Sequence, residues 1–131
     1  MSADITPITD FIFLSSYEGA SSSIQDFGCL INCAKECDYA EIPDGLHYKK
    51  LELNDSTSQN ISDYFEEVID LLNDCEEREV RTIIHCFEGK SRSVTFLLAY
   101  LMKFKGMRLN EAFDFIKERR TVLPNVSFMR Q

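Results

Sequence analysis

The run Ile83-Ile84-His85-Cys86-Phe87-Glu88-Gly89-Lys90-Ser91-Arg92-Ser93 sits between an apolar strand pattern and an apolar helix pattern, and it constrains the fold more than any other stretch. Thr82-Ile83-Ile84, like Cys29-Leu30-Ile31, is continuously apolar rather than alternating, as strands covered on both faces are. From Arg92 to Lys105 the pattern is helical and apolar almost all round (Val94, Phe96, Leu97, Leu98, Leu101, Met102), which predicts the central buried helix, stopped at Gly106. A buried strand feeding a buried helix leaves Cys86 at the strand's end and Arg92 at the helix's start, with five loop residues between them.

The remaining elements follow from periodicity. Strands are expected at Ile8–Leu14, Gly28–Ala34, His47–Leu53 and Val80–Cys86. A helix is expected from about Ile61 to Asp74, with Ile61, Tyr64, Phe65, Val68, Ile69, Leu71 and Leu72 inward and Asn60 or Ser62 as its N-cap. Another runs from Asn110 to about Arg119, with Ala112, Phe113, Phe115 and Ile116 inward and Lys117, Arg119 and Arg120 at its C-terminal end. Strands alternating with helices predict an α/β fold with a largely parallel sheet. At 131 residues, 1–131 reads as one domain, expected to be cut short of its native C-terminus because an amphipathic pattern is only beginning at Phe128-Met129.

The net charge of −8 argues against nucleic acid or an anionic membrane as partner. The acid is concentrated from Asp63 to Glu79, a solvated helix face, so any phosphate site must be a local positive spot in a negative field. No targeting segment or membrane span is visible. The five cysteines are odd in number and lie in apolar or helical contexts, which predicts reduced thiols and a cytoplasmic protein, with the nucleus also open. Cys29, Cys33 and Cys37 recur every fourth residue, but the distant second ligand pair of a structural zinc site is missing, so they are expected to be core thiols. Cys75 is read as an ordinary helix residue. No structural metal site is expected from these cysteines.

The loop after Cys86 has the chemistry of an anion cradle with its own nucleophile. Backbone amides from Phe87 to Arg92 can curl into a ring of donors, with Gly89 supplying a conformation closed to other residues. The helix that starts at Arg92 points its positive end into that ring, and the guanidinium adds a full charge. Such surroundings lower cysteine pKa values to roughly 3.5–7.5, so Cys86 should be substantially ionised at neutral pH. Phe87, Glu88, Gly89, Lys90, Ser91 and Arg92 are thus the candidate phosphate-binding residues, with Arg92 able to take two phosphate oxygens bidentately. Ser93 is placed to donate a hydrogen bond to the sulfur and help it leave. His85 is expected to order the loop backbone rather than carry protons.

His85-Cys86-x-x-Gly89-x-Ser91-Arg92-Ser93, followed by Thr95 and Leu98-Ala99-Tyr100-Leu101-Met102, closely resembles the dual-specificity protein phosphatases of the cysteine-phosphatase superfamily, in their small atypical form. Leu53-Asn54-Asp55, then Asn60-Ile61 and Tyr64-Phe65, resembles the general-acid loop of that family and the helix after it, and Asp55 precedes the cysteine by 86 − 55 = 31 positions. Asn32 after Leu30-Ile31 and the late Pro124-Asn125-x-x-Phe128 also fit, so the resemblance runs from about Ile8 onward. It implies the cysteine-phosphatase fold, a central mostly parallel sheet of about five strands flanked by helices. It also implies a two-step reaction in which Cys86 attacks phosphorus and Asp55 serves as acid and then base, on a phosphoprotein or phosphopeptide substrate, with no metal or organic cofactor. Asn125 is implied as a supporting residue. Glu88 and Val94 depart from the commonest pattern. Glu88 is expected to pair with Arg92 from behind, and Lys90 is either a substrate contact or a solvated lysine.

Other functions remain open at this point. The same chemistry could act on a phosphoinositide, an RNA 5′-phosphate or a glycan phosphate, although Ser93 in place of threonine and the acidic surface disfavour lipid and RNA. A phosphate-binding module without turnover is a reading of another class, as is a sulfur-transfer or arsenate-reducing enzyme, which would not need Asp55. The sequence leaves oligomeric state open.

Overall fold

The computed structural model describes residues 4–54, 61–120 and 122. Among the described residues five strands, β1 (Ile5–Pro7), β2 (Ile12–Ser15), β3 (Cys29–Asn32), β4 (His47–Lys50) and β5 (Thr82–His85), form one sheet in the order β1-β2-β5-β3-β4. β1 pairs with β2 antiparallel, and every other pairing is parallel. The helices are α1 (Tyr17–Ser22), α2 (Phe65–Glu77), α3 (Arg92–Phe104) and α4 (Leu109–Lys117). This is the expected α/β architecture.

β3 and β5 are buried along their whole length, which is why their sequences are continuously apolar. Side chains alternate across the sheet. Ile31 and Ile84 enter the larger core with Val68, Leu72, Phe96, Leu97, Leu101 and Ile116, while Leu30 and Ile83 pack on the opposite face with Ala20 and Phe27. Cys29, Cys33 and Cys37 are buried in the larger core, as expected of core thiols, and Cys75, expected only as an ordinary residue of α2, is buried there with them. None of the five cysteines forms a disulfide. α3 buries almost every residue from Arg92 to Leu101, although Met102 is exposed. Gly106 ends it with φ 69°, and the Met107 amide closes back on the Leu101 carbonyl (3.3 Å).

Three local expectations are corrected. The strand expected over Ile8–Leu14 is broken by a turn, in which the Thr9 hydroxyl accepts the Phe11 and Ile12 amides (3.3 and 3.0 Å). That turn folds Ile5–Pro7 back as an edge strand, where proline's missing N–H is tolerated. The short α1 lies outside every expected element, and the Ser16 side chain caps it through the Gly19 amide (3.1 Å). Ser62 is not an N-cap. It opens a 3-10 turn, Ser62–Tyr64, and Tyr64 precedes α2; Asn60 lies outside the described residues. Among the described residues, no helix is long and apolar enough to cross a membrane.

β2, β3 and β5 run parallel, so their C-terminal ends, Ser15, Asn32 and His85, lie at one edge of the sheet. Crevices form at such edges because the connections diverge there. α3 begins at this edge, directed at it by the loop from Cys86 to Ser91.

Candidate active site

The loop wraps a cavity of about 330 Å³ lined by Glu36, Cys86, Phe87, Glu88, Lys90, Ser91 and Arg92. Its outward hydrogen bonds explain its inward face. The Cys86 carbonyl meets His85 Nδ1 (2.9 Å), the Phe87 carbonyl accepts the Tyr17 amide (2.9 Å), and Arg120 donates to the Glu88 and Gly89 carbonyls (2.8 and 2.9 Å). Across a trans peptide the carbonyl and the following N–H point in opposite directions. Four carbonyls tied outward therefore turn the amides of Phe87, Glu88, Gly89 and Lys90 inward, a concave ring of donors that suits an anion. The Gly89 amide already donates to Cys86 Sγ (3.2 Å). Gly89 is required twice over. Its φ is 72°, and a Cβ there would lie 2.4 Å from the Ser15 carbonyl oxygen.

Cys86 is 3% exposed at the floor of the cavity. Burial alone would raise its pKa. Hydrogen bonds from the Ser93 hydroxyl and from the Ser93 and Ser91 amides, with the Arg92 charge, outweigh that and hold the thiol below its ordinary value. The Ser93 hydroxyl is 3.3 Å from the sulfur. Cys33, whose amide donates to the His85 carbonyl (2.8 Å), is pushed the other way by its own burial and by the Cys86 charge. Two neighbouring thiols are thus pushed to opposite sides of the ordinary thiol pKa, because only one sits at a helix N-terminus among donors.

Arg92 is buried, and Glu36 holds its guanidinium end-on, with Nη1 on Oε1 (2.7 Å) and Nη2 on Oε2 (2.8 Å). Nη1 also donates to the Leu53 carbonyl (2.9 Å). The expected partner, Glu88, is elsewhere. It pairs with Lys90 (3.3 Å) at the exposed crest, because the loop turns its side chain away from α3 toward solvent.

The His85 ring is bonded to the loop backbone. A carbonyl only accepts, so the ring's Nδ1 carries the proton it gives to the Cys86 carbonyl, and Nε2 accepts from the Tyr39 hydroxyl (2.8 Å). Burial holds this imidazole neutral, with its pKa lowered to about 4.

The structure therefore brings together Cys86, Phe87, Glu88, Gly89, Lys90, Ser91, Arg92 and Ser93 around one cavity, with His85 behind it. Asp55 and Asn125 lie outside the described residues. Sequence reasoning missed Glu36 and Arg120. Arg120 looked like a helix-terminal cation, yet its guanidinium spans the two loop carbonyls, Thr6 (3.2 Å) and Asp4 (2.7 and 2.8 Å).

Known proteins resemble this chain over most of its length. Residues 12–131 match the family model described as the dual specificity phosphatase catalytic domain. The chain is 47% identical over 87 residues to dual specificity protein phosphatase 5 of Homo sapiens, covering 66% of this chain and 23% of that protein. It is 39% identical over 129 residues to a probable rhodanese domain-containing dual specificity protein phosphatase of Dictyostelium discoideum, covering 95% and 27%. The chain thus spans about a quarter of the length of these relatives. Among solved structures, human DUSP28 superposes with a TM-score of 0.89 at 20% identity, covering 99% of this chain and 90% of that one, a likeness of fold.

Proposed function

Because the chain belongs to the dual specificity phosphatase family, we propose that it hydrolyses phosphotyrosine and phosphoserine or phosphothreonine in proteins through a cysteinyl-phosphate on Cys86. The observation that carries this reading is the sulfur itself, held by the Ser93 hydroxyl and the Gly89 amide at the floor of the cavity. In the first step the Cys86 thiolate attacks phosphorus and the P–O bond to the substrate breaks. Charge on the three equatorial oxygens is met by the ring of amides and by Arg92, which is where phosphoryl transfer needs stabilisation. Asp55 gives its proton to the departing oxygen. In the second step water attacks the cysteinyl-phosphate, Asp55 accepts the water's proton, and the S–P bond breaks to return the thiolate. Ser93 eases that departure by hydrogen bonding to the sulfur. The Asp55 role rests on its place after Leu53-Asn54; Leu53 itself touches Arg92 through its carbonyl (2.9 Å).

Residues 1–131 are read as a single catalytic domain, supported by one sheet with a core on each face. A cytoplasmic or nuclear setting is supported by five unbridged thiols. No metal or organic cofactor takes part in this scheme.

The test compares wild type, Cys86→Ser and Asp55→Ala on an aryl phosphate, then on phosphopeptides and phosphoinositides. Turnover abolished by Cys86→Ser is expected. Asp55→Ala should lower kcat by roughly 10²–10⁴ for a poor leaving group and far less for nitrophenolate. Turnover that survives Cys86→Ser would refute the nucleophile. Lipid cleaved far faster than peptide would replace the protein substrate and keep the mechanism.

A further inference from the structure

We propose that Glu36 is a positioning residue that aims Arg92 at the phosphate; this rests on the phosphate-site reading above. A guanidinium carries five N–H donors in one plane, so fixing two directions fixes the plane. Glu36 takes the end-on fork of Nη1 and Nη2 (2.7 and 2.8 Å), and the Leu53 carbonyl takes Nη1 again (2.9 Å). Those contacts fix the plane of the guanidinium at the cavity wall before any substrate arrives.

Glu36 can do this because its own backbone is immobilised. It lies in the turn after β3, where buried Asn32 spans the turn, accepting the Ala34 amide (3.0 Å) and donating to the Cys37 carbonyl (2.8 Å). Lys50 donates to the carbonyls of Lys35 (3.3 Å) and Cys37 and pairs with Asp38 (3.0 Å). The Lys35 amide donates to the Leu53 carbonyl (3.0 Å), the same oxygen that holds Arg92. The turn, the segment at Leu53 and the first residue of α3 are therefore locked to one another through a few named bonds.

Glu36 also brings a negative charge to the site. The Arg92 hydrogen bonds keep its carboxyl below the ordinary glutamate value, so it is ionised throughout the working range. Its charge offsets part of the Arg92 field that stabilises the Cys86 thiolate. Aim and charge consequently pull in opposite directions. Removing the carboxylate loosens the grip on phosphate but makes the thiol more acidic, whereas a residue that merely supported the fold would weaken both.

The experiment titrates inorganic tungstate, a non-reacting tetrahedral oxyanion, into wild type, Glu36→Gln and Glu36→Ala. It also records KM and kcat on an aryl phosphate and the pH dependence of Cys86 alkylation by iodoacetate. Glu36→Ala is expected to weaken tungstate binding and raise KM by roughly tenfold or more. Glu36→Gln, which keeps the shape and one neutral acceptor, should fall between the two. In both variants the alkylation midpoint should move to lower pH. Tungstate affinity within twofold of wild type, or an alkylation midpoint that rises, overturns the proposal. Should wild type bind tungstate in a Glu36-dependent way yet hydrolyse nothing, the proposed function fails and the role of Glu36 stands.

Discussion

Two arginines meet the loop from opposite sides, and a carboxylate grips each in the same way. Arg92, in front, is 5% exposed and bound by Glu36 through two bonds of 2.7 and 2.8 Å. Arg120, behind, is 8% exposed and bound by Asp4 at the same two distances. What differs is the use of the remaining donors. Arg92 lines the cavity, whereas Arg120 donates to the Glu88 and Gly89 carbonyls and so turns the following amides inward. Under the proposed function, one arginine takes the anion and the other shapes the cage around it. The first should be costly to chemistry alone, the second to chemistry and stability together.

Arg92→Lys is the sharpest way to break that distinction. Lysine keeps the charge for Glu36 but loses the planar fork, so kcat/KM on an aryl phosphate should drop by roughly 10²–10³. Thermal unfolding should barely move. Retention of activity within tenfold would show that the front arginine supplies only charge.

Arg120→Met comes next. It leaves two loop carbonyls and Asp4 without their donor, and hydrogen bonds from a charged donor each contribute about 1.5–3 kcal/mol. Because Asp4 regains water on removal of its partner, the net loss should be about 2–3 kcal/mol, read by urea unfolding, accompanied by a kcat/KM loss of roughly tenfold. An unchanged midpoint in urea with normal kinetics would mean that the loop holds its shape without a rear brace.

The two arginines also show what a sequence can and cannot reveal. Arg92 was legible because everything that identifies it is local: a strand, a cysteine, five residues and a helix. Arg120 was not, because its partners Gly89, Glu88, Thr6 and Asp4 lie 31, 32, 114 and 116 positions away. The same reason explains the misassigned partner of Arg92. Glu88 was close in sequence, but the carboxylate that reaches the guanidinium comes from 56 positions upstream, carried there by the turn after β3. The parallel core of the sheet was readable because burial on both faces writes itself as an unbroken apolar run. β1 and α1 carry no such mark, being three and six residues long at the periphery.

His85 belongs to the rear wall and offers a pH test of it. Its pKa is lowered from 6.5 to about 4 by burial. Above pH 6.5 the imidazole is neutral in both folded and unfolded chains, and no penalty arises. As pH falls toward 4, the unfolded chain takes up a proton that the folded one refuses, so stability declines through that window and levels off below it. The full loss is on the order of 3 kcal/mol. In His85→Gln, which cannot titrate, the part of the pH dependence between 6.5 and 4 should disappear from denaturation curves. Its persistence would assign the acid sensitivity to another group.

The smallest effect is expected at the crest, where Glu88 and Lys90 form an ion pair at 3.3 Å with side chains 61% and 42% exposed. Exposed pairs contribute only about 0–1 kcal/mol, so Glu88→Gln should leave unfolding unchanged. Its charge nevertheless sits at the mouth of a cavity suited to a dianion, in a chain that already carries a net charge of −8. Neutralising it should lower KM for an aryl phosphate by roughly two- to threefold at low ionic strength, with kcat unaltered, and the gain should vanish near 1 M salt, where the Debye length is about 3 Å. A gain that survives high salt would mean that Glu88 acts on the bound phosphate at short range, through the same pairing with Arg92 that the structure gives to Glu36 instead.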